Sequence, residues 1–329
     1  MPPILPPPAR RQMLATWRRT ASSSRRATGA LTILAALAPT VPLALGVSIP
    51  SGGLAGSARS GVAGTPSPSS PPGPTGGPGA GPPGPRSGAV SYRIVGCRSR
   101  GAVAYQHGPQ RREVAIGFDD GPWSDTPGFV RMLERSHARA TFFMIGEQLN
   151  ASYRSTLMRE LRDGDVLGDH TFTHPYLTRS GNVYGQLRAT IVAIRALTGY
   201  TPCVFRPPYG AYDGGVVRTA ASLGLATVLW NVDPSDYARP GSSAIVRRVL
   251  SQVRPGSIII SHDGGGPRTE TLAAYPSIIA ALRGRGYRVV TIPELLGFRP
   301  VYTPCIQLCD GIGVPRSELS RDAIIQRAP

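Results

Sequence analysis

From Glu113 onward, short apolar runs rich in β-branched residues alternate with longer stretches whose apolar positions recur every three or four residues. The runs that read as strands are "EVAIGF", "ATFFMIG", "DVLGDH", "CVFRPP", "ATVLWNVD", "SIIISHD" and "YRVVTI". Between them lie helical patterns such as "PGFVRMLERSHA", "YRSTLMRELRDG", "VYGQLRATIVAIRALTG" and "TLAAYPSIIAALRGRG". Strands separated by helices of this length imply βαβ units, a parallel sheet and right-handed crossovers. The first strand runs into two carboxylates where an open doubly wound sheet would carry a glycine-rich phosphate loop. The pattern therefore predicts an α/β fold closed as a distorted (β/α) TIM-like barrel of about seven parallel strands. In such a barrel the functional groups belong at the C-terminal ends of the strands.

The pattern is absent from the first ninety residues. Arginine pairs at Arg10/Arg11, Arg18/Arg19 and Arg25/Arg26 precede the apolar segment "GALTILAALAPTVPLALGVSI", Gly29 to Ile49. A positive flank followed by an apolar segment is the signature of membrane insertion with the N-terminus left inside. Pro39 and Pro42 interrupt the segment, and "LAGSA" at Leu54 to Ala58 offers small residues for processing. Residues 1–58 thus read as a signal peptide or N-terminal membrane anchor. Residues 59–89 are almost entirely Gly, Pro, Ser, Ala and Thr, too poor in apolar mass to offset the entropy of ordering, and read as a linker. The folded domain is expected over 90–300, with a C-terminal tail over 301–329.

Charge changes the picture little. The formal charge is +17, and all 36 basic side chains are arginine. Those arginines are scattered along helical patterns without a dense basic run or interleaved aromatics, which argues against nucleic acid and for a solvated surface suited to anionic envelope polymers. Cys97, Cys203, Cys305 and Cys309 make an even count without a CxxC pair, which in an exported chain favours disulfides over zinc and leaves three pairings open.

The chemistry gathers at the predicted strand ends. Asp119 and Asp120 close the first strand, "GDHTFTHP" the third, "FRPPYG" the fourth and "IIISHDGGG" the sixth, and "WNVDPSDY" follows the fifth. His170 and His174 stand four apart, but Pro175 pushes the residue before it out of helical conformation, so a turn must bring the two imidazoles together. With Asp120 they make a His₂Asp set with an open position, the arrangement expected of catalytic zinc. Asp119 is then free to take a proton from water. The loop "DGGGPRTET" with Arg268 reads as a flexible segment near the mouth.

In order and separation, "FDDGP", "HTFTH", "RPPYG", "DPSDY" and "IISHD" resemble the five motifs of the polysaccharide deacetylases of carbohydrate esterase family four, the nodulation-type chitooligosaccharide deacetylase homology domain. The resemblance spans roughly Val114 to Leu296. It implies that Asp120, His170 and His174 bind zinc or a similar divalent ion, that Asp119 is the general base and His262 the general acid. Arg206 would pair with Asp119, and Asp236 with His262. Tyr209 would lend its backbone N–H to the oxyanion, and Tyr237 and Ile260 would line the acetyl pocket. Three positions depart from the family pattern: Tyr237 where tryptophan is usual, Ile260 where leucine is usual, and Gly117 where threonine is common. The expected activity is removal of N-acetyl groups from an amino-sugar polysaccharide outside the cytoplasmic membrane. Peptidoglycan is the first candidate. Chitooligosaccharides, acetylated xylan and a catalytically idle carbohydrate-binding module are the alternatives. The chain is expected to act as a monomer that touches the membrane only through its N-terminal segment.

Overall fold

The computed structural model describes residues 91–305, 313–319 and 321–326. The N-terminal signal or anchor and the linker expected before residue 90 lie outside the described residues, as does Cys309.

Twelve strands are described, β1 Ser91–Arg98, β2 Ala104–Tyr105, β3 Glu113–Gly121, β4 Thr141–Met144, β5 Val166–Asp169, β6 Val204–Phe205, β7 Ala226–Val228, β8 Ile258–His262, β9 Arg288–Val290, β10 Arg299–Pro304, β11 Val314–Pro315 and β12 Ile324–Ile325. The seven runs expected as strands are β3 to β9. They pair in parallel in the order β7-β6-β5-β4-β3-β8, with β9 also on β3 and the two-residue β2 added beside β7. The chain leaving β7 bridges Val232 to Ile259 on β8, which draws the curled sheet round into a distorted barrel. Six consecutive positions of β3, Val114 to Asp119, are buried, as are all four of β4 and of β5. Strands covered on both faces can carry apolar residues without alternation, which is why these runs read as continuous.

Seven α-helices, α1 Thr126–Arg135, α2 Arg154–Asp163, α3 Val183–Thr198, α4 Gly214–Ser222, α5 Ser242–Gln252, α6 Thr269–Gly284 and α7 Ile292–Leu295, are described. Local chemistry sets several of their ends. Pro127 lies in the first turn of α1, where its missing N–H costs no hydrogen bond. The Asp213 carboxylate accepts the Val216 N–H at 2.9 Å and caps α4. Gly164 takes the left-handed conformation that ends α2. Phe118 of β3 meets Phe129 of α1 and Tyr275 of α6 edge-on, at 4.9 and 4.8 Å between ring centroids, and so ties sheet to helices at the core.

Residues at and beyond the expected domain boundary, read as a C-terminal tail, supply β10, β11 and β12. With β1 they form a separate four-stranded sheet in the order β11-β1-β10-β12. A disulfide joins Cys97 on β1 to Cys203, just before β6, across 106 residues. Cys305 is also disulfide-bonded. The choice of disulfides over zinc thus holds for the described cysteines.

Candidate active site

Register carries the functional side chains to one rim. Asp119 stands opposite His262 where β3 pairs with β8, and opposite Phe143 where β3 pairs with β4. Asp169 stands opposite Met144 on one side and Phe205 on the other, so His170 and Arg206 follow at the same level.

In a regular strand, consecutive side chains point to opposite faces, and Asp119 and Asp120 could not serve one site. The β3–β4 register slips between Asp119 and Gly121, and Asp120 takes φ +70°, a conformation Asp tolerates better than most residues. This bulge turns Asp120 back toward its neighbour's side. His170 Nε2 consequently lies 3.9 Å from Asp119 Oδ2 and 3.4 Å from Asp120 Oδ1.

The segment from His170 to His174 is a turn, as Pro175 required. Asp169 accepts the Thr171 N–H at 2.7 Å, and the Gln186 side-chain oxygen accepts the N–H groups of Phe172 and Thr173, each at 2.9 Å. Thr171 Oγ1 accepts the His174 N–H at 3.1 Å. Thr171 and His174 both have positive φ, strain of the kind that gathers at functional sites. The turn brings the His170 and His174 rings to 4.9 Å between centroids and His174 Nε2 to 3.2 Å from Asp120 Oδ1.

His170 Nδ1 lies 2.7 Å from the Arg206 carbonyl oxygen, which can only accept, so Nδ1 donates and Nε2 is the nitrogen turned inward. His174 Nδ1 meets the Tyr209 hydroxyl at 3.1 Å. Asp120 Oδ1 is buried without a hydrogen-bond partner. Burial pushes the Asp120 carboxyl up, but His170, His174 and His262 outweigh it and hold it well below the usual carboxylate range. One candidate ligand atom from each of Asp120, His170 and His174 lies within 4.8 Å of the others. A buried anionic oxygen between two inward imidazole nitrogens fits a divalent cation.

Two ion pairs flank this set. Arg206 is fully buried and donates from Nη1 to Asp119 Oδ1 at 2.7 Å and from Nη2 to the Leu229 carbonyl at 3.3 Å. Its guanidinium lies 4.2 Å from the Phe143 ring centroid. Burial pulls this guanidinium below its ordinary value, and the Asp119 carboxylate offsets part of that shift. On the other side, Asp236 accepts from His262 twice, from Nδ1 at 2.8 Å and from the backbone N–H at 2.9 Å. Burial alone would pull the His262 imidazole down, yet Asp236, with smaller contributions from Asp120 and Asp119, raises it to about 9. Tyr237 meets the His262 ring edge-on at 5.8 Å, and Ile260, buried two positions earlier on β8, shares the face of His262.

Every sequence-predicted site residue thus falls at this rim, with Tyr209, at φ +60°, adding a side-chain contact to His174 that the motif reading did not anticipate. Other partners were missed. Thr271 donates to Asp236 at 2.9 Å from α6, a long-range contact with no local signature. Asp263, inside the quoted "IISHD", is buried, and its backbone N–H donates to the Asp119 carbonyl at 3.1 Å. Burial raises the Asp263 carboxyl to about 7, and Thr126 donates to it. The "DGGGPRTET" loop is pinned rather than free. Arg268 is buried, its Nε donates to the Gly264 carbonyl and its backbone N–H donates to Asp125, each at 2.6 Å. A Cβ at Gly264 would sit 1.8 Å from the Asp120 carbonyl oxygen, so the glycine lets this loop lie against the bulge.

Comparison with known proteins agrees with this geometry. Residues 106–228 match the family model for polysaccharide deacetylase. A peptidoglycan-N-acetylglucosamine deacetylase of Bacillus cereus is 36% identical over 205 residues, covering 60% of this chain and 95% of the relative. A chitooligosaccharide deacetylase of Sinorhizobium fredii is 39% identical over 197 residues, covering 55% and 90%. The crystal structure of a peptidoglycan N-acetylglucosamine deacetylase, Bc1960, superposes with a TM-score of 0.57 at 33% identity, over 60% of this chain and 93% of that one. A pseudoenzyme of carbohydrate esterase family four from Bacillus anthracis superposes with a TM-score of 0.55 at 26% identity, over 60% and 70%. The curled parallel barrel, the five ordered motifs and these relatives together place the chain in the polysaccharide deacetylase family, carbohydrate esterase family four.

Proposed function

We propose that this deacetylase is a metal-dependent hydrolase that removes N-acetyl groups from peptidoglycan N-acetylglucosamine. The observation that carries the reading is the buried Asp120 Oδ1 facing two imidazole nitrogens at 3.4 and 3.2 Å, with the second oxygen of Asp119 beside them. Asp120, His170 and His174 would hold the cation, zinc by the chemistry of the donor set, and when bound it supplies a Lewis acid for the amide carbonyl and for water. Asp119 takes the proton of the attacking water on Oδ2, because Arg206 holds Oδ1. His262 carries a proton on Nε2 for the leaving amine, a very poor leaving group until protonated. Asp236 fixes the His262 tautomer from the Nδ1 side. The Tyr209 backbone N–H serves the developing oxyanion. Tyr237 and Ile260 wall the acetyl group.

The peptidoglycan assignment draws on the Bacillus cereus relative, and action outside the cytoplasmic membrane on the arginine-flanked apolar segment near the N-terminus. Retention of Asp119, Arg206, Asp236 and His262 around the metal set distinguishes the reading from an idle binding module. The test is acetate release from purified peptidoglycan and from N-acetylglucosamine oligomers, with and without a chelator. Release from peptidoglycan that stops on chelation and returns with zinc is expected. Binding of peptidoglycan without acetate release at any metal concentration would overturn the reading.

A further inference from the structure

Beside His174 the rim carries an aromatic and cationic stack that the reaction described above does not use. Tyr176 is 38% exposed and Tyr209 41% exposed, so both rings offer a face to a bound glycan. The two rings stack at 5.6 Å between centroids with 18° between planes. Tyr209 continues to His174 through its hydroxyl, and Arg179 lies over the Tyr176 ring at 4.9 Å. A short turn from Leu177 to Arg179 sets this geometry, closed by the Arg179 N–H donating to the Tyr176 carbonyl at 2.9 Å.

Arg179 is exposed and forms no ion pair with an acid among the described residues. Its neighbours explain its position without neutralising it. An ordinary solvated arginine samples many rotamers, whereas this one is held against a ring that favours its charge. The stack therefore presents, at the edge of the site, a cation without an acidic partner among the described residues, linked to His174 through Tyr176 and Tyr209. On the reading above, a sugar with its acetyl group at Asp119 and His262 would bring a neighbouring unit of the glycan within reach of this rim.

We propose that Arg179, steadied by Tyr176, forms a subsite for a carboxylate carried by the unit next to the sugar being deacetylated. This inference rests on the deacetylase reading above and deepens it. The substrate class is an acidic glycan, in which an N-acetyl sugar neighbours a unit bearing a carboxylate ether or an acidic peptide. A neutral homopolymer of N-acetylglucosamine offers the guanidinium nothing to pair with. A planar, five-donor guanidinium suits a carboxylate better than an ammonium does, because it makes two parallel hydrogen bonds.

The experiment compares kcat/KM for a muropeptide fragment with that for the same fragment after amidation of its carboxylates, in the wild-type full chain, Arg179→Gln and Arg179→Lys. The wild type should prefer the acidic fragment, and the preference should shrink at high salt, as an exposed charge pair requires. Arg179→Gln should cut the acidic-to-amidated ratio about tenfold, the size of one charge-assisted hydrogen bond, mainly through KM. Arg179→Lys should fall between. An unchanged ratio in Arg179→Gln, or an equal loss on both fragments, would overturn the subsite. Absence of acetate release from either fragment would instead count against the deacetylase reading. Calorimetric binding of the acidic fragment to wild type and Arg179→Gln would then decide the subsite by itself, since equal affinities contradict it.

Discussion

Arg206 reaches Asp119 over 2.7 Å, close against Gly117. A Cβ on Gly117 would lie 2.5 Å from Arg206 Nη1. Gly117 therefore leaves room for a fully buried guanidinium. Gly117→Val should displace the guanidinium, cost about 1–3 kcal/mol of stability by overpacking, and lower turnover as Asp119 loses its anchor. Urea melts and acetate-release rates on the same preparations check both effects.

Removing the cation itself should be worse. Arg206→Met leaves the buried Asp119 carboxylate without its partner, and breaking one side of a buried pair costs about 3–5 kcal/mol. The expected result is a clearly lower urea midpoint together with near-complete loss of acetate release. A variant that kept its stability and lost only activity would show that Arg206 contributes to chemistry alone.

In the proposed reaction the Asp236–His262 pair should set the alkaline limit. The folded His262 value of about 9 lies above the ordinary 6.5, so the bound proton stabilises the fold fully below pH 6.5, and that contribution fades as pH rises through 9. A general acid that must be protonated gives activity that falls over the same alkaline range. In Asp236→Asn the opposing effect of burial is left largely uncompensated, so the descending limb of the kcat/KM profile should move to lower pH by more than one unit. Turnover at pH 7 should drop by about 10²-fold or more, in keeping with loss of acid catalysis, and should recover partly in acid.

The Cys97–Cys203 disulfide closes a 106-residue stretch and ties β1 to the segment that delivers Arg206 three residues later. Replacing both cysteines by serine should cost about 2–5 kcal/mol. For a domain of this size that corresponds to a Tm roughly 5–15 °C lower. Calorimetry of the double-serine variant against the wild type, both without reductant, reads this quantity.

The barrel was legible because its strands are buried on both faces and its helices show a clear period, so seven apolar runs appeared as seven strands. The site was legible because the family's five motifs lie at strand ends, where each side chain's level follows from parallel register. The four-stranded sheet was not. β1 and β10 lie about two hundred residues apart in sequence, and β11 and β12 are two residues each, too short to carry a period. Their pairing is long-range and leaves no local trace. The meeting of the doubled aspartates at one site is in keeping with their place at a strand end, but its means left no sign in the residue types. The slip at Asp120 is a backbone event that residue types alone do not announce. The same holds for Thr271 on Asp236 and for the Tyr209 hydroxyl on His174, contacts made by tertiary packing. The glycine run was misread as freedom because Gly264 serves close approach to the Asp120 backbone instead.

The most direct test of the central claim measures bound zinc and acetate release together in wild type, Asp119→Ala and His174→Ala. The account predicts one equivalent of zinc with turnover in the wild type, full zinc with almost no turnover in Asp119→Ala, and loss of both in His174→Ala. Zinc retained at wild-type affinity in His174→Ala, or wild-type turnover in Asp119→Ala, would contradict it.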